Sequence, residues 1–141
     1  MNMKKYIVMV LLLFIYMATT GMNTVINIVE EPVDRYEYVF NSVVDDKHAD
    51  VVRAIISVES GGDTLAVSHT GDYGIMQVNK RTWSKKYDFS KMNELEYGLK
   101  AGYEIYLMCY NRAGGNIREA LKLYNGRYSY ADKVMRRIHV R

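Results

Sequence analysis

One cysteine, one proline and three histidines in 141 residues set the first limits on this chain. With Cys109 alone, no disulfide can close within the chain. Its place inside a helical pattern makes it a small buried hydrophobe rather than a nucleophile. So little proline, combined with apolar residues recurring at helical spacing, predicts a mainly α fold. His48, His69 and His139 lie far apart without ligand spacing, and no acidic loop has the form of a calcium site, so no metal and no cofactor is expected. No groove-reading motif accompanies the basic residues, which argues against a nucleic-acid partner. Internal repeats and low-complexity tracts are also missing.

What remains is an ordinary globular composition, 49% hydrophobic and 25% charged, enough for one domain with a sizeable core. The first residues stand apart from it. Lys4 and Lys5 precede an apolar run from Tyr6 to about Ala18, followed by Thr19-Thr20-Gly21. A basic start before such a run marks an export segment, either a cleaved signal or a retained inner-membrane anchor. A full span of ~20 apolar residues is reached only if the softer flank to Ile28 is counted. The expected organisation is therefore a signal peptide or anchor over 1–21, a tether over 22–32 and one domain over 33–141.

Setting Lys4 and Lys5 aside lowers the formal charge from +3 to +1, so the distribution of charge says more than its sum. Between Arg112 and Arg141 eight basic residues face only Glu119 and Asp132. That face would suit an anionic polymer, and reads equally as a set of solvated helix surfaces with no partner.

Along the domain, 36–44 and 49–58 predict helices, the second apolar around most of its circumference and hence central. Gly61 and Gly62 break it. Residues 63–72 are polar and turn-rich, and Gly71 and Gly74 would let backbone approach a ligand. A short helix is expected from Asn79 to Trp83. Asn93-Glu94-Leu95-Glu96 has the form of a capping box opening the longest helix, whose inner face carries Leu95, Leu99, Tyr103, Tyr106 and Tyr110. Gly114-Gly115 ends it, and Asn116 to Glu119 form a second box before a short helix closed by Asn125-Gly126. The last helix turns Tyr130, Val134 and Ile138 inward, with Lys133, Arg136 and Arg137 outward. Five to six helices in one lobe around a groove follow.

The chemistry concentrates at Glu59, the end of the apolar stretch Ala54-Ile55-Ile56-Ser57-Val58-Glu59. A carboxyl at the mouth of a buried helix is poorly solvated and can hold a proton near neutral pH, as a general acid must. Glu59-Ser60, then Gly74-Ile75-Met76-Gln77, then Ala120-Leu121-Lys122-Leu123-Tyr124-Asn125-Gly126, then Tyr130 resemble, in order, four motifs of the lytic transglycosylases of the lysozyme superfamily, which cleave peptidoglycan strands.

The resemblance implies a lysozyme-like lobe and a single glutamate acting first as acid and then as base. In that family the nucleophile is the sugar's own 6-hydroxyl, and the product is a 1,6-anhydromuramoyl end. Carried over by position, Glu59 is the acid and base, and Ser60 hydrogen-bonds near it. Gln77, on a strand-like segment, binds substrate or orients Glu59. Tyr124 and Asn125 floor the cleavage point, and Tyr130 lines the groove, a place Tyr128 could also take. The family's Tyr-Asn-Ala-Gly is shortened here to Tyr124-Asn125-Gly126, which bears on the extent of the groove. Asp72-Tyr73-Gly74-Ile75-Met76-Gln77 also resembles animal lysozymes, in which the Asp is a second carboxylate of a hydrolase. The alternative reading of Asp72 is a cap of the glycine-rich turn. A third alternative is a catalytically silent wall-binding spacer. A secretion or conjugation apparatus, or a phage, would use so small an enzyme.

Overall fold

Asp34 begins the described part of the chain, a computed structural model whose described residues are 34–138. The expected segments 1–21 and 22–32 lie outside the described residues, as does His139. Asp34 caps helix α1, Arg35–Val43, by accepting the Tyr36 amide at 2.9 Å. After a 3-10 turn, Asp46–His48, comes α2, Ala49–Glu59. Val51, Val52, Ala54, Ile55 and Ile56 are all buried, which makes α2 the central helix that its wide apolar circumference predicted. It ends where predicted: Gly61 takes φ +66 and returns its amide to the Ile56 carbonyl at 3.0 Å.

A loop leads to a two-residue antiparallel hairpin, β1 (Asp72–Tyr73) and β2 (Val78–Asn79), with Asp72 opposite Asn79 and Tyr73 opposite Val78. The short helix α3, Lys80–Trp83, follows, capped by Asn79 Oδ1 on the Thr82 amide. Then come α4, Leu95–Arg112; α5, Ile117–Asn125; and α6, Tyr128–Ile138. The fold is mainly α, as expected, with six helices among the described residues. None of those helices is long and apolar enough to cross a membrane.

Two hydrophobic clusters hold the lobe. The larger joins α1, α2, α4, α5 and α6 around Phe40, Ile55, Leu99, Tyr106 and Leu121; the smaller lies under the hairpin around Val78, Met92 and Ile105. Each fully buried aliphatic side chain contributes roughly 1.5–3 kcal/mol. Tyr124 packs against both clusters, so α5 ties the hairpin side of the molecule to the helical core.

Two local expectations need correction. Asn93 does not cap α4: the Glu94 amide bonds the Lys91 carbonyl at 2.9 Å, a turn that consumes Asn93 and leaves Glu94 at the cap position without a side-chain cap bond. Gln77 is not on a strand but ends the hairpin turn, at φ +49. Gly74 is also required by the protein's own backbone, because a Cβ there would sit 2.3 Å from the Met92 carbonyl oxygen. A Cβ on Gly98 would meet the same oxygen at 2.4 Å, and one on Gly102 would meet Met76 Cβ at 2.4 Å. Gly98 thus admits the Met92 carbonyl, and Gly102 the Met76 side chain of the hairpin turn, close against α4.

The second capping box is half formed. Asn116 accepts the Glu119 amide at 3.0 Å, but the Glu119 carboxylate turns away to accept the Tyr128 hydroxyl at 3.0 Å.

Candidate active site

Between the hairpin with α3 on one side and the joint of α5 and α6 on the other lies a cleft of about 720 Å³, floored by Ile105 and Cys109 of α4. Glu59 opens into it from the last residue of α2, together with Asp72, Gln77, Tyr124 and Asn125. Five of the residues singled out in the sequence are thus brought to one concave surface. Ser60 and Tyr130 are not on its wall, but each acts just behind it.

Ser60 donates its hydroxyl to the Ile75 carbonyl at 2.7 Å and accepts the Gly62 amide at 3.1 Å. The end of α2 is thereby pinned to the hairpin turn. The next carbonyl, Met76, accepts the Tyr124 hydroxyl at 2.8 Å. Two consecutive turn carbonyls are therefore held from opposite sides, by the residue after Glu59 and by the tyrosine of α5. Met76 itself is fully buried, as expected of a core residue.

Gln77 completes the turn. Its left-handed backbone is uncommon for a residue with a side chain and costs on the order of 1 kcal/mol. The side chain offsets that cost by donating both amide hydrogens inward, to the Ala66 carbonyl at 3.0 Å and the Gly74 carbonyl at 2.9 Å. What it leaves for the cleft is its Oε1, an acceptor.

Glu59 is pushed up to about 7, chiefly by burial. The Tyr130 hydroxyl and Lys133 favour its charged form, whereas the negative charge of Asp72 opposes it. Tyr130 Oη is buried and has no partner of ordinary hydrogen-bond geometry among the described residues, so it faces the Glu59 carboxyl as a near neighbour rather than a bonded one. Its ring stacks on Tyr124 at 6.4 Å. Both tyrosine hydroxyls are held well above their ordinary pKa by burial and stay neutral. Tyr128 points the other way: it is exposed, bonded to Glu119 and flanked by the cations of Arg118 and Lys122. Of the two candidates, Tyr130 is the one beside Glu59.

Asp72 behaves differently from Glu59. Burial opposes its ionisation, but hydrogen bonds from Ser68, Thr70 and Asn79 outweigh that and lower its pKa. Ser68 Oγ donates at 2.6 Å, Thr70 Oγ1 shares the same oxygen, and Asn79 Nδ2 donates to the other at 2.7 Å. The cleft therefore contains one carboxyl poised to carry a proton and one fixed as an anion.

Cys109 is half-buried on the cleft floor rather than enclosed in the core, and burial raises its thiol pKa, which keeps it from being a thiolate nucleophile. No three His, Cys, Asp or Glu side chains gather as a metal centre would require among the described residues. Sequence reasoning missed Arg81 and Trp83, which also line the cleft, and had Arg127 only as one member of the basic C-terminal face. Trp83, the chain's only tryptophan, was the one signal available; its indole packs on the smaller hydrophobic cluster while also lining the cleft.

No curated protein and no solved structure matches the chain. Residues 44–136, from the end of α1 through most of α6, match the family described as the transglycosylase SLT domain, and they contain Glu59, the hairpin, Tyr124 and Tyr130. The match covers well over half of the chain and the whole of the cleft, so this protein belongs to the transglycosylase SLT family, whose activity is on peptidoglycan.

Proposed function

We propose that the protein is a lytic transglycosylase that cleaves the β-1,4 bond between N-acetylmuramic acid and N-acetylglucosamine, with Glu59 as its sole acid and base. The observation that carries this reading is the pairing of a Glu59 carboxyl pushed up to about 7 with an Asp72 carboxylate engaged by three donors.

At neutral pH a large fraction of Glu59 holds a proton, which it gives to the glycosidic oxygen as the C1–O4 bond breaks. Positive charge develops at C1 of the muramoyl ring. The ionised Glu59 then takes the proton from the 6-hydroxyl of the same sugar as O6 bonds to C1. The proton returns to Glu59, no water is consumed and a 1,6-anhydro ring remains. Burial serves both steps, since it favours the protonated acid before cleavage and makes the carboxylate a stronger base afterwards. Tyr130 steadies the carboxylate between them. Gln77 Oε1 accepts a hydroxyl or amide hydrogen of the sugar. Ser60 and Tyr124 act as positioning residues through the turn carbonyls, and Asn125 contributes a polar edge.

A second reading is favoured by one observation: Asp72 lines the same cleft as a fixed anion. As a lysozyme-type muramidase the protein would use Asp72 to stabilise or trap the C1 cation, with water completing the reaction. Mass spectrometry of muropeptides released from purified peptidoglycan separates the two. Anhydro ends, one water lighter than reducing ends, support the transglycosylase; reducing ends transfer the assignment to the muramidase. If no fragments are released, and Glu59→Gln leaves the protein's biological role intact, a silent wall-binding spacer remains.

Lys4, Lys5 and the apolar run that follows support export, with the domain held in the envelope by a signal anchor or released there. A local opening of the wall for a secretion or conjugation machine, or for a phage, fits one small domain.

A further inference from the structure

Four charged residues line the cleft: Glu59, Asp72, Arg81 and Arg127. The two arginines come from opposite walls, Arg81 from α3 beyond the hairpin and Arg127 from the joint between α5 and α6. Neither side chain makes an ion pair or hydrogen bond among the described residues. Two other arginines, outside the cleft, are paired with carboxylates. Arg53 forks onto both carboxylate oxygens of Glu37 at 2.8 and 2.7 Å, and Arg118 onto those of Asp132 at 2.8 and 3.3 Å.

The cleft's own carboxyls do not answer the pair. Asp72 is engaged by Ser68, Thr70 and Asn79, and Glu59, the half-buried last residue of α2, makes no ion pair among the described residues. Two exposed guanidinium groups are thus left facing a groove meant for a polymer. The backbone of that polymer offers only neutral hydroxyls and acetamides. Its anionic groups are carboxylates, carried on the 3-O-lactyl arm of muramic acid or on the peptide stem attached there. A planar guanidinium recognises such a group with two parallel charge-assisted bonds, which a neutral sugar cannot supply.

We propose that Arg81 and Arg127 are specificity-determining residues that bind carboxylates on the muramic acid side of the glycan, so that the cleft prefers acid-bearing strands to neutral β-1,4-linked N-acetylglucosamine. The inference rests on the peptidoglycan reading above. Asp72 contributes by staying bonded to its loop: a free carboxylate in its place would close onto the arginines and compete with the ligand.

The test uses the full chain carrying Glu59→Gln, so that binding is read without turnover. Affinity is measured for soluble glycan strands with intact stems, for strands stripped of peptide by an amidase, and for neutral N-acetylglucosamine oligomers. Adding Arg81→Gln and Arg127→Gln together should weaken binding to acid-bearing strands by on the order of tenfold or more, the worth of a charge-assisted bond. It should leave the neutral oligomers within about twofold. Arg81→Lys with Arg127→Lys keeps the charge but not the fork and should fall between, a graded response that unfolding would not produce. The arginine-dependent part should also weaken as salt is raised.

Loss confined to stem-bearing strands assigns the carboxylates to the peptide; loss confined to stripped strands, where the amidase has freed the lactyl carboxyl from its amide bond, assigns them to the lactyl arm; and loss on both assigns one to each. Equal loss on neutral oligomers, or no loss on any strand, overturns the proposal. Release of muropeptides by the parent protein is scored separately. A parent that cleaves while the arginine variants bind normally sinks this inference alone, whereas a parent that releases nothing sinks the enzymatic reading and leaves the binding comparison to stand or fall by itself.

Discussion

Tyr124 donates its hydroxyl to the carbonyl of Met76 at 2.8 Å, across 48 residues of sequence. Through that bond α5 holds the turn from which Gln77 reaches the cleft, while Ser60, next to Glu59, holds the adjacent carbonyl. Removing the hydroxyl with Tyr124→Phe leaves a buried carbonyl short of a donor and should cost about 1–3 kcal/mol of stability. Activity should fall further than substrate affinity, because the turn is displaced relative to Glu59. Thermal unfolding and a split of kcat against KM would check it; an unchanged kcat would remove Tyr124 from the positioning of the site.

Glu59→Gln should abolish nearly all release of muropeptides yet make the protein more stable at alkaline pH. The sign follows from the raised pKa. A carboxyl that holds its proton more tightly when folded contributes stability that is fully present below its unfolded value, near 4.5, and is lost as pH rises through about 7. The loss is about 3 kcal/mol, which an amide that never ionises avoids. Parent and variant should therefore unfold together near pH 4 and diverge by pH 8. Parallel melting curves across that range would show that Glu59 is not poised as a proton donor.

Activity should decline as pH rises past about 7, since the first step needs Glu59 protonated. A rate that keeps climbing to pH 9 would move the general acid elsewhere.

Asp72→Asn removes a carboxylate whose partners belong to its own loop and to β2. The expected cost is about 1–3 kcal/mol of stability, with a modest loss of rate and no change in the product, whose ends stay anhydro. Complete inactivity of a folded Asp72→Asn protein, measured on purified peptidoglycan, would favour the muramidase.

Gly102→Ala ought to help a helix by about 1 kcal/mol on propensity alone. Here the added carbon would lie 2.4 Å from Met76 Cβ, and overpacking of this kind costs about 1–3 kcal/mol. A lowered melting temperature is expected; a raised one would show that Met76 can yield.

Much of this was legible in the sequence where local chemistry and global packing agree. The ends of α2 and α5 are written in Gly61 and Gly126, and Glu59 is marked by the apolar helix that ends on it. Asn93 misled because two local signals competed, and the turn closed by Glu94 on Lys91 won. Helix phase separates Tyr130 from Tyr128: Tyr130 shares a face with Val134, four residues on, and both are buried. Arg127 was visible only as one of eight basic residues on a face suited to an anionic polymer, and Arg81 not at all. They occupy solvent-facing positions unremarkable in sequence, and only the fold places one on each wall of a cleft.

Gly74 and Gly98 meet on either side of the Met92 carbonyl with no side chain between them. At that point the spacing is set by main-chain atoms rather than by rotamers, whereas one turn along α4 Gly102 admits the Met76 side chain of the hairpin turn. One jaw of the cleft is mounted like a machined part on its bearing. Proton delivery to a glycosidic oxygen tolerates errors of well under roughly 1 Å, and this contact gives the wall bearing Gln77 that kind of tolerance without spending any functional side chain on it.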